Sequence, residues 1–129
     1  MASGIRQLRE RMAELTDLQD SAGLLDWDQQ TMMPPRGAAA RAEWLATLRR
    51  VTHEMFISAE TGRLLEAAAG ELDGAADGDS DDARLVAVVR RRWEKARRVP
   101  AELTAELARA GSVGYEAWVS AREASDFAA

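Results

Sequence analysis

The pentapeptide His53-Glu54-Met55-Phe56-Ile57 opens like the zinc-peptidase pattern His-Glu-x-x-His and then departs from it. That pattern works because two imidazoles one helical turn apart hold the metal while the Glu activates a water. Here Ile57 stands in the fifth position, His53 is the only histidine, and there is no cysteine. A His-rich catalytic zinc centre therefore has no ligands to be built from. His53 reads instead as a helix histidine hydrogen-bonded within the fold. Asp77-Gly78-Asp79-Ser80-Asp81 imitates the start of an EF-hand loop. The sixth position needs Gly for the turn and is Asp82, and the twelfth needs a bidentate Glu and is Val88. The stretch reads as an acidic loop capping the next helix. Asp26 and Asp28 flank Trp27. Two residues apart on a helix means about 200° of rotation, so they cannot act on one substrate as acid and base. One histidine makes no Ser-His-Asp set, and no phosphate-cradling glycine motif is present. Arg90, Arg91, Arg92, Lys95, Arg97 and Arg98 form a dense basic run. Successive arginines spread right round a helix, and Trp93 sits among them, so the run reads as a solvated, ion-paired face.

The elements that carry these residues follow from periodicity. Ile5, Leu8, Met12, Leu15, Leu18, Ala22 and Leu25 recur at steps of three and four, which predicts one long helix from residue 4 to about 30. Pro34-Pro35 stops it and starts the next, since Pro suits a first helical turn. The second helix is expected from about Pro35 to Phe56, with Trp44, Leu48, Val51 and Met55 as its inner stripe. A third follows Ser58 and carries Leu64, Leu65, Ala68 and Leu72. Residues 70 to 82, rich in Gly and Asp, form a loop. A fourth helix starts near Ser80 or Asp81, with Leu85, Val86, Val89 and Trp93 inward. Val99-Pro100 opens a fifth, whose seam of Leu103, Leu107, Ala110, Gly114, Ala117, Ala121 and Ala124 turns small enough for another backbone to approach. Asp126-Phe127-Ala128-Ala129 offers no Gly, no basic last turn and no Pro, so this helix is expected to run on without a stop.

Composition sets the class. Of 129 residues, 47% are hydrophobic, with nine glycines and three prolines, which favours helix. The expectation is an all-α single domain over residues 1–129: four or five helices in a bundle-like array, antiparallel across the Pro34-Pro35 and Val99-Pro100 corners. A net charge of −5 argues against nucleic-acid or anionic-membrane binding. No uncharged run approaches the about 18 residues of a membrane span, and the N-terminus lacks a signal-peptide layout. With no cysteine, the expected compartment is the cytoplasm.

Leu24-Leu25-Asp26-Trp27-Asp28-Gln29-Gln30-Thr31-Met32-Met33-Pro34-Pro35 resembles the N-terminal signature of the M32 (Taq-type) carboxypeptidases, where a Trp-Asp-x-x-x-x-Met-Pro element joins the first two helices. The resemblance continues through Gly37, Arg41, Leu45, Leu48 and His53-Glu54, then Gly62-x-Leu64-Leu65. It extends to Arg97-Arg98-Val99-Pro100-Ala101-Glu102-Leu103, Ala117-Trp118-x-x-Ala121-Arg122 and Ser125-Asp126-Phe127-Ala128, so it covers essentially the whole chain. It implies a segment similar to the N-terminal helical region of neurolysin-like metallopeptidases. Such enzymes remove C-terminal residues from peptides with one divalent metal, usually zinc or cobalt. Their ligands and general base come from a His-Glu-x-x-His helix and a later Glu, downstream of the region matched. No catalytic, cofactor or metal residue of the family therefore maps onto a position here. The resemblance implies a helical wall or lid beside the substrate groove, inactive by itself. Trp27, Asp28, Met33 and the prolines read as architectural, with Asp28 satisfying nearby amides. A role for Arg36 or Arg41 in steering a substrate carboxylate has no local motive. The expected partner is a second copy or a related carboxypeptidase chain, held through the small seam of the fifth helix with Trp118 and Phe127 beside it. The alternative function is a stand-alone helical interaction or regulatory module.

Overall fold

The computed structural model describes residues 3–73, 78–126 and 128. Among them are five α-helices and no strand: α1 (Gly4–Thr31), α2 (Ala38–Ile57), α3 (Ala59–Leu72), α4 (Asp81–Ala96) and α5 (Ala101–Glu123). A 3-10 turn, Pro35–Gly37, precedes α2. No described helix is long and apolar enough to cross a membrane.

Each boundary has a local cause. The amides of Met32 and Met33 both donate to the Asp28 carbonyl at 2.9 Å, which closes α1 just before the prolines. Pro34 and Pro35 then enforce extended and 3-10 geometry in turn, so α2 begins three residues later than the expected Pro35. Ser58 ends α2 and caps α3, its Oγ accepting from the Thr61 amide at 3.2 Å. Ser80 caps α4 in the same way through Ala83, with Asp81 and Asp82 in the first turn. The expectation that α5 runs on is overturned. Ser125 adopts the left-handed region at φ 54°, the Asp126 amide donates to Ala121 O at 2.8 Å, and that of Ser125 to Arg122 O at 3.2 Å. These two bonds are the Schellman stop, built here on a serine in place of the usual glycine.

α1 has 28 residues and is therefore about 42 Å long, enough to serve two separate packing regions. Its N-terminal half lies on α3 and α4, where Leu8, Leu65, Ala68, Val86 and Val89 are buried together, with Met12, Phe56 and Trp93 at the edge. Its C-terminal half meets α2, and α2 makes the most extensive helix pair of the fold with α5. Two contacts of opposite chain order for each pair show antiparallel neighbours: Gly4–Glu71 and Arg11–Glu60 for α1–α3, Gly62–Trp93 and Glu66–Arg90 for α3–α4, and Glu43–Arg109 with His53–Val99 for α2 and α5. Gly4 is buried where α1 crosses α3, and a Cβ there would meet the Ala67 backbone at 2.8 Å.

Three packing expectations are corrected. The inner face of α2 is Arg41, Ala42, Leu45, Ala46 and Thr52. Trp44 and Val51 point outward, 55% and 40% exposed, because α5 packs on the small-residue side of α2, which allows close approach. The inner face of α5 is Ala101, Ala105 and Ser112. Of its expected seam, Leu103, Leu107, Ala110, Gly114, Ala117 and Ala124 are exposed and Ala121 is half-buried. The Val99-Pro100 corner does not make α4 and α5 packed neighbours: α4 spends its apolar face on α3 and α1, and α5 turns away along α2.

Candidate functional site

The C-terminal half of α1, α2 and α5 converge around the Trp27-Asp28 element. Arg41 is buried, although charged, and donates to Asp28 Oδ2 and to the Leu25 carbonyl, both at 2.6 Å. Its guanidinium also lies 5.4 Å from the centre of the Trp44 ring. Asp28 is thus spent on a cation, not on the orphan amides expected of it; the amides of Met32 and Met33 go to its backbone carbonyl. Arg41 is the clamp between α1 and α2. Both its terminal nitrogens are engaged, its Nε is buried without a partner, and the side chain is 8% exposed, so the guanidinium is enclosed in the clamp. Arg36 is exposed in the 3-10 turn. Trp27 projects outward, 60% exposed.

Beside this clamp lies a cleft of about 310 Å3, lined among others by Asp26, Gln29, Leu45, Arg49, Ser112 and Tyr115. Its floor is a buried polar network. Gln29 donates to the Ser112 carbonyl at 3.1 Å and to Glu116 Oε1 at 3.0 Å, and the Ser112 hydroxyl donates to Gln29 Oε1 at 3.0 Å. A buried amide with both ends satisfied fixes the rotation of α5 against α1. At the mouth, Arg49 faces Asp26 at 3.3 Å. Gln29 and Ser112 were not singled out from the sequence, though a signal existed. Gln29 stands where the α1 stripe Ala22, Leu25 continues, and a polar residue at an inward position needs a buried partner.

His53 takes the bland role expected of it: its Nε2 lies 2.7 Å from the Val99 carbonyl in the α4–α5 connection and donates there. Glu54 faces away and pairs with Arg50 at 3.0 Å. Around the acidic loop, Arg84 pairs with Asp79 at 2.9 Å and Arg9 with Asp82 at 2.6 Å. Asp77 and the neighbouring 74–76 lie outside the described residues, as do Phe127 and Ala129. In the basic run, Arg90 pairs with Glu66 at 2.7 Å, which raises its pKa, and Arg97 stacks over Trp93 at 4.4 Å. The counter-charge for Arg90 comes from Glu66 on α3.

Two further carboxylates are shifted by what they hold. The Arg109 fork grips both oxygens of Glu43 at 2.7 and 3.1 Å, and this hydrogen bonding lowers the Glu43 pKa and raises that of Arg109, which also binds Glu106. Glu71, at the end of α3, accepts from the Ser3 hydroxyl at 2.7 Å and from the amides of Gly4 and Ile5, so its pKa is lowered chiefly by the Ser3 bond and then by Gly4. It caps α1 from another helix.

The candidate nucleophile and base are each engaged elsewhere in the fold. Ser112 Oγ serves Gln29, and the single imidazole is committed to a carbonyl. Among the described residues no three His, Cys, Asp or Glu side chains gather as metal ligands would. The donor set present does not fit a catalytic zinc.

The sequence profile described as carboxypeptidase Taq (M32) metallopeptidase matches residues 7–129. The chain is also 34% identical over 122 residues to a protein of Thermus thermophilus named thermostable carboxypeptidase 1. That match covers 95% of this chain and 24% of the relative, so the chain spans a minor part of the length of the protein it resembles. No solved structure matches it significantly.

Proposed function

Since the chain belongs to the carboxypeptidase Taq (M32) metallopeptidase family, we propose that it forms the helical wall beside the substrate groove of such an enzyme and does not supply the metal centre. By itself it is then inactive. The observation that carries this reading is the donor set: one imidazole, held by Val99, and no ligand cluster among the described residues. The work of these helices is architectural, with Arg41, Gln29 and Arg109 fixing the wall. The test is to dialyse the chain against zinc or cobalt, measure bound metal, and assay release of C-terminal residues from peptides. No stoichiometric metal and no release are expected. One tightly held metal per chain, with chelator-sensitive hydrolysis, overturns the proposal.

A second reading, a helical interaction module that binds a second copy or a full-length relative, is favoured by the outward apolar residues. Trp44, Leu48 and Val51 form one face of α2, and Ala110, Gly114 and Ala117 run beside Trp118 on α5. Apolar surface beyond a few hundred Å2 commonly finds a partner, and a standard interface takes about 800 Å2 per side. We propose a cytoplasmic location for the chain, in keeping with its cysteine-free sequence. Light scattering tests it: Ala117→Arg should dissociate a dimer held by α5, and a one-chain mass unchanged up to high concentration rejects self-association.

A further inference from the structure

The cleft where α1, α2 and α5 meet combines features that its architectural role does not require. At its mouth Asp26 and Arg49 touch by a single contact of 3.3 Å, with side chains 44% and 39% exposed. A charge-assisted bond of full strength is about 2.7–2.9 Å long, so this pair is loose. Leu45 and Ala108 supply apolar wall. Gly111 lines the cleft without a side chain, and a Cβ added there would meet nothing within 4 Å. Tyr115, half-buried in the same wall, has a hydroxyl with no hydrogen-bond partner among the described residues.

We propose that this cleft binds a free α-amino acid with an apolar side chain, as its zwitterion. The ammonium takes Asp26, the carboxylate takes Arg49, and the side chain lies against Leu45 and Ala108 toward the space at Gly111. A dipolar ligand replaces one long contact by two charge-assisted ones and leaves neither protein charge unpaired. A simple anion would take Arg49 and strip Asp26 of its partner, and a simple amine would do the reverse. The volume, about 310 Å3, stands at the small end of ligand clefts and admits a single amino acid, not a peptide. Recognition rests on the cleft alone. It meets the carboxypeptidase reading only in that a C-terminal hydrolase releases ligands of this class. Because both charges are half-exposed, the affinity is weak, with Kd on the order of 1 mM.

The test is a titration of the 129-residue chain with L-leucine, followed by amide chemical shifts, with N-acetyl-leucine and isoamylamine as single-charge analogues. Saturable shifts centred on Gly111, Ser112 and Tyr115 are expected for leucine, with each analogue binding roughly fivefold more weakly, the value of one exposed ion pair. Arg49→Gln and Asp26→Asn should each weaken leucine by a similar factor. Gly111→Leu should fill the cleft and abolish the shifts while leaving the circular dichroism spectrum unchanged. The analogue series needs no variant, so an unstable mutant leaves the test standing. The proposal fails if leucine shows no saturation up to about 50 mM, well past the expected Kd. It fails equally if N-acetyl-leucine binds as well as leucine, which would mark a plain anion site, or if Gly111→Leu binds leucine undiminished.

Discussion

Removing Asp28 should destabilise the chain more than removing its partner Arg41, although the same 2.6 Å bond is lost in both cases. The asymmetry comes from burial: the Arg41 side chain is 8% exposed and that of Asp28 is 37% exposed. Asp28→Ala leaves a guanidinium out of water with only the Leu25 carbonyl as acceptor. Breaking a buried pair in this way costs about 3–5 kcal/mol, and the partial exposure of Asp28 brings the figure to about 2–3 kcal/mol. Arg41→Met keeps most of the apolar stem and lets Asp28 turn to solvent. The loss is then one hydrogen bond to Leu25 and a modest ion pair, about 1 kcal/mol. The double variant should resemble Arg41→Met alone, because no stranded cation remains. Urea unfolding followed by circular dichroism reads the series. With an m value of about 2 kcal/mol/M, Asp28→Ala should lower the midpoint by about 1 M and Arg41→Met by about half that. If Arg41→Met costs as much as Asp28→Ala, or if the two effects add in the double variant, the reasoning about the buried clamp is wrong.

Gly4→Ala should cost about 2 kcal/mol, because the new Cβ meets the Ala67 backbone at 2.8 Å and helix backbones cannot yield as a flexible side chain would; the same unfolding assay reads it. Ser125→Gly should stabilise by about 0.5 kcal/mol, since glycine occupies φ 54° without strain but adds some entropy to the unfolded chain. An unchanged midpoint would mean that the left-handed stop of α5 costs nothing. Glu71 gives a pH dependence. Its folded pKa lies below the ordinary 4.5, so its stabilisation is fully present above that pH and is lost as the pH falls through the lowered value. Glu71→Gln should therefore destabilise at neutral pH and flatten the stability profile in the acid range; identical profiles for the two proteins would refute the cap.

Helix number and the positions of most ends were legible in the sequence because their causes are local. Ser58 and Ser80 cap with their own side chains, and Pro34-Pro35 and Pro100 fix backbone angles wherever they occur. The stripe of α1 and the Leu64–Leu72 and Leu85–Trp93 faces were also legible, since long apolar side chains at helical spacing leave one direction to bury. Where apolar and small residues surround a helix, that logic fails. α2 carries Ala42, Leu45 and Ala46 on one side and Trp44, Leu48 and Val51 on another, and only contact with α5 chose the first. α5 has small residues on nearly every face, so its rotation was set by the Gln29–Ser112 network and the Glu43–Arg109 fork, bonds between residues more than sixty positions apart.

The amino-acid sequence by itself determined the all-α class, the corner at Pro34-Pro35, the family resemblance and the shortage of metal ligands, because residue types, local dihedral limits and counts do not depend on which helix meets which. Tertiary structure alone decided that Arg41 is a buried clamp, that Glu71 caps a helix other than its own, and that Asp26 and Arg49 pair at the mouth of a cleft. In each of these the energy belongs to a pair of distant groups. A group's burial, and hence the strength of its charge or hydrogen bond, exists only once the chain has closed around it.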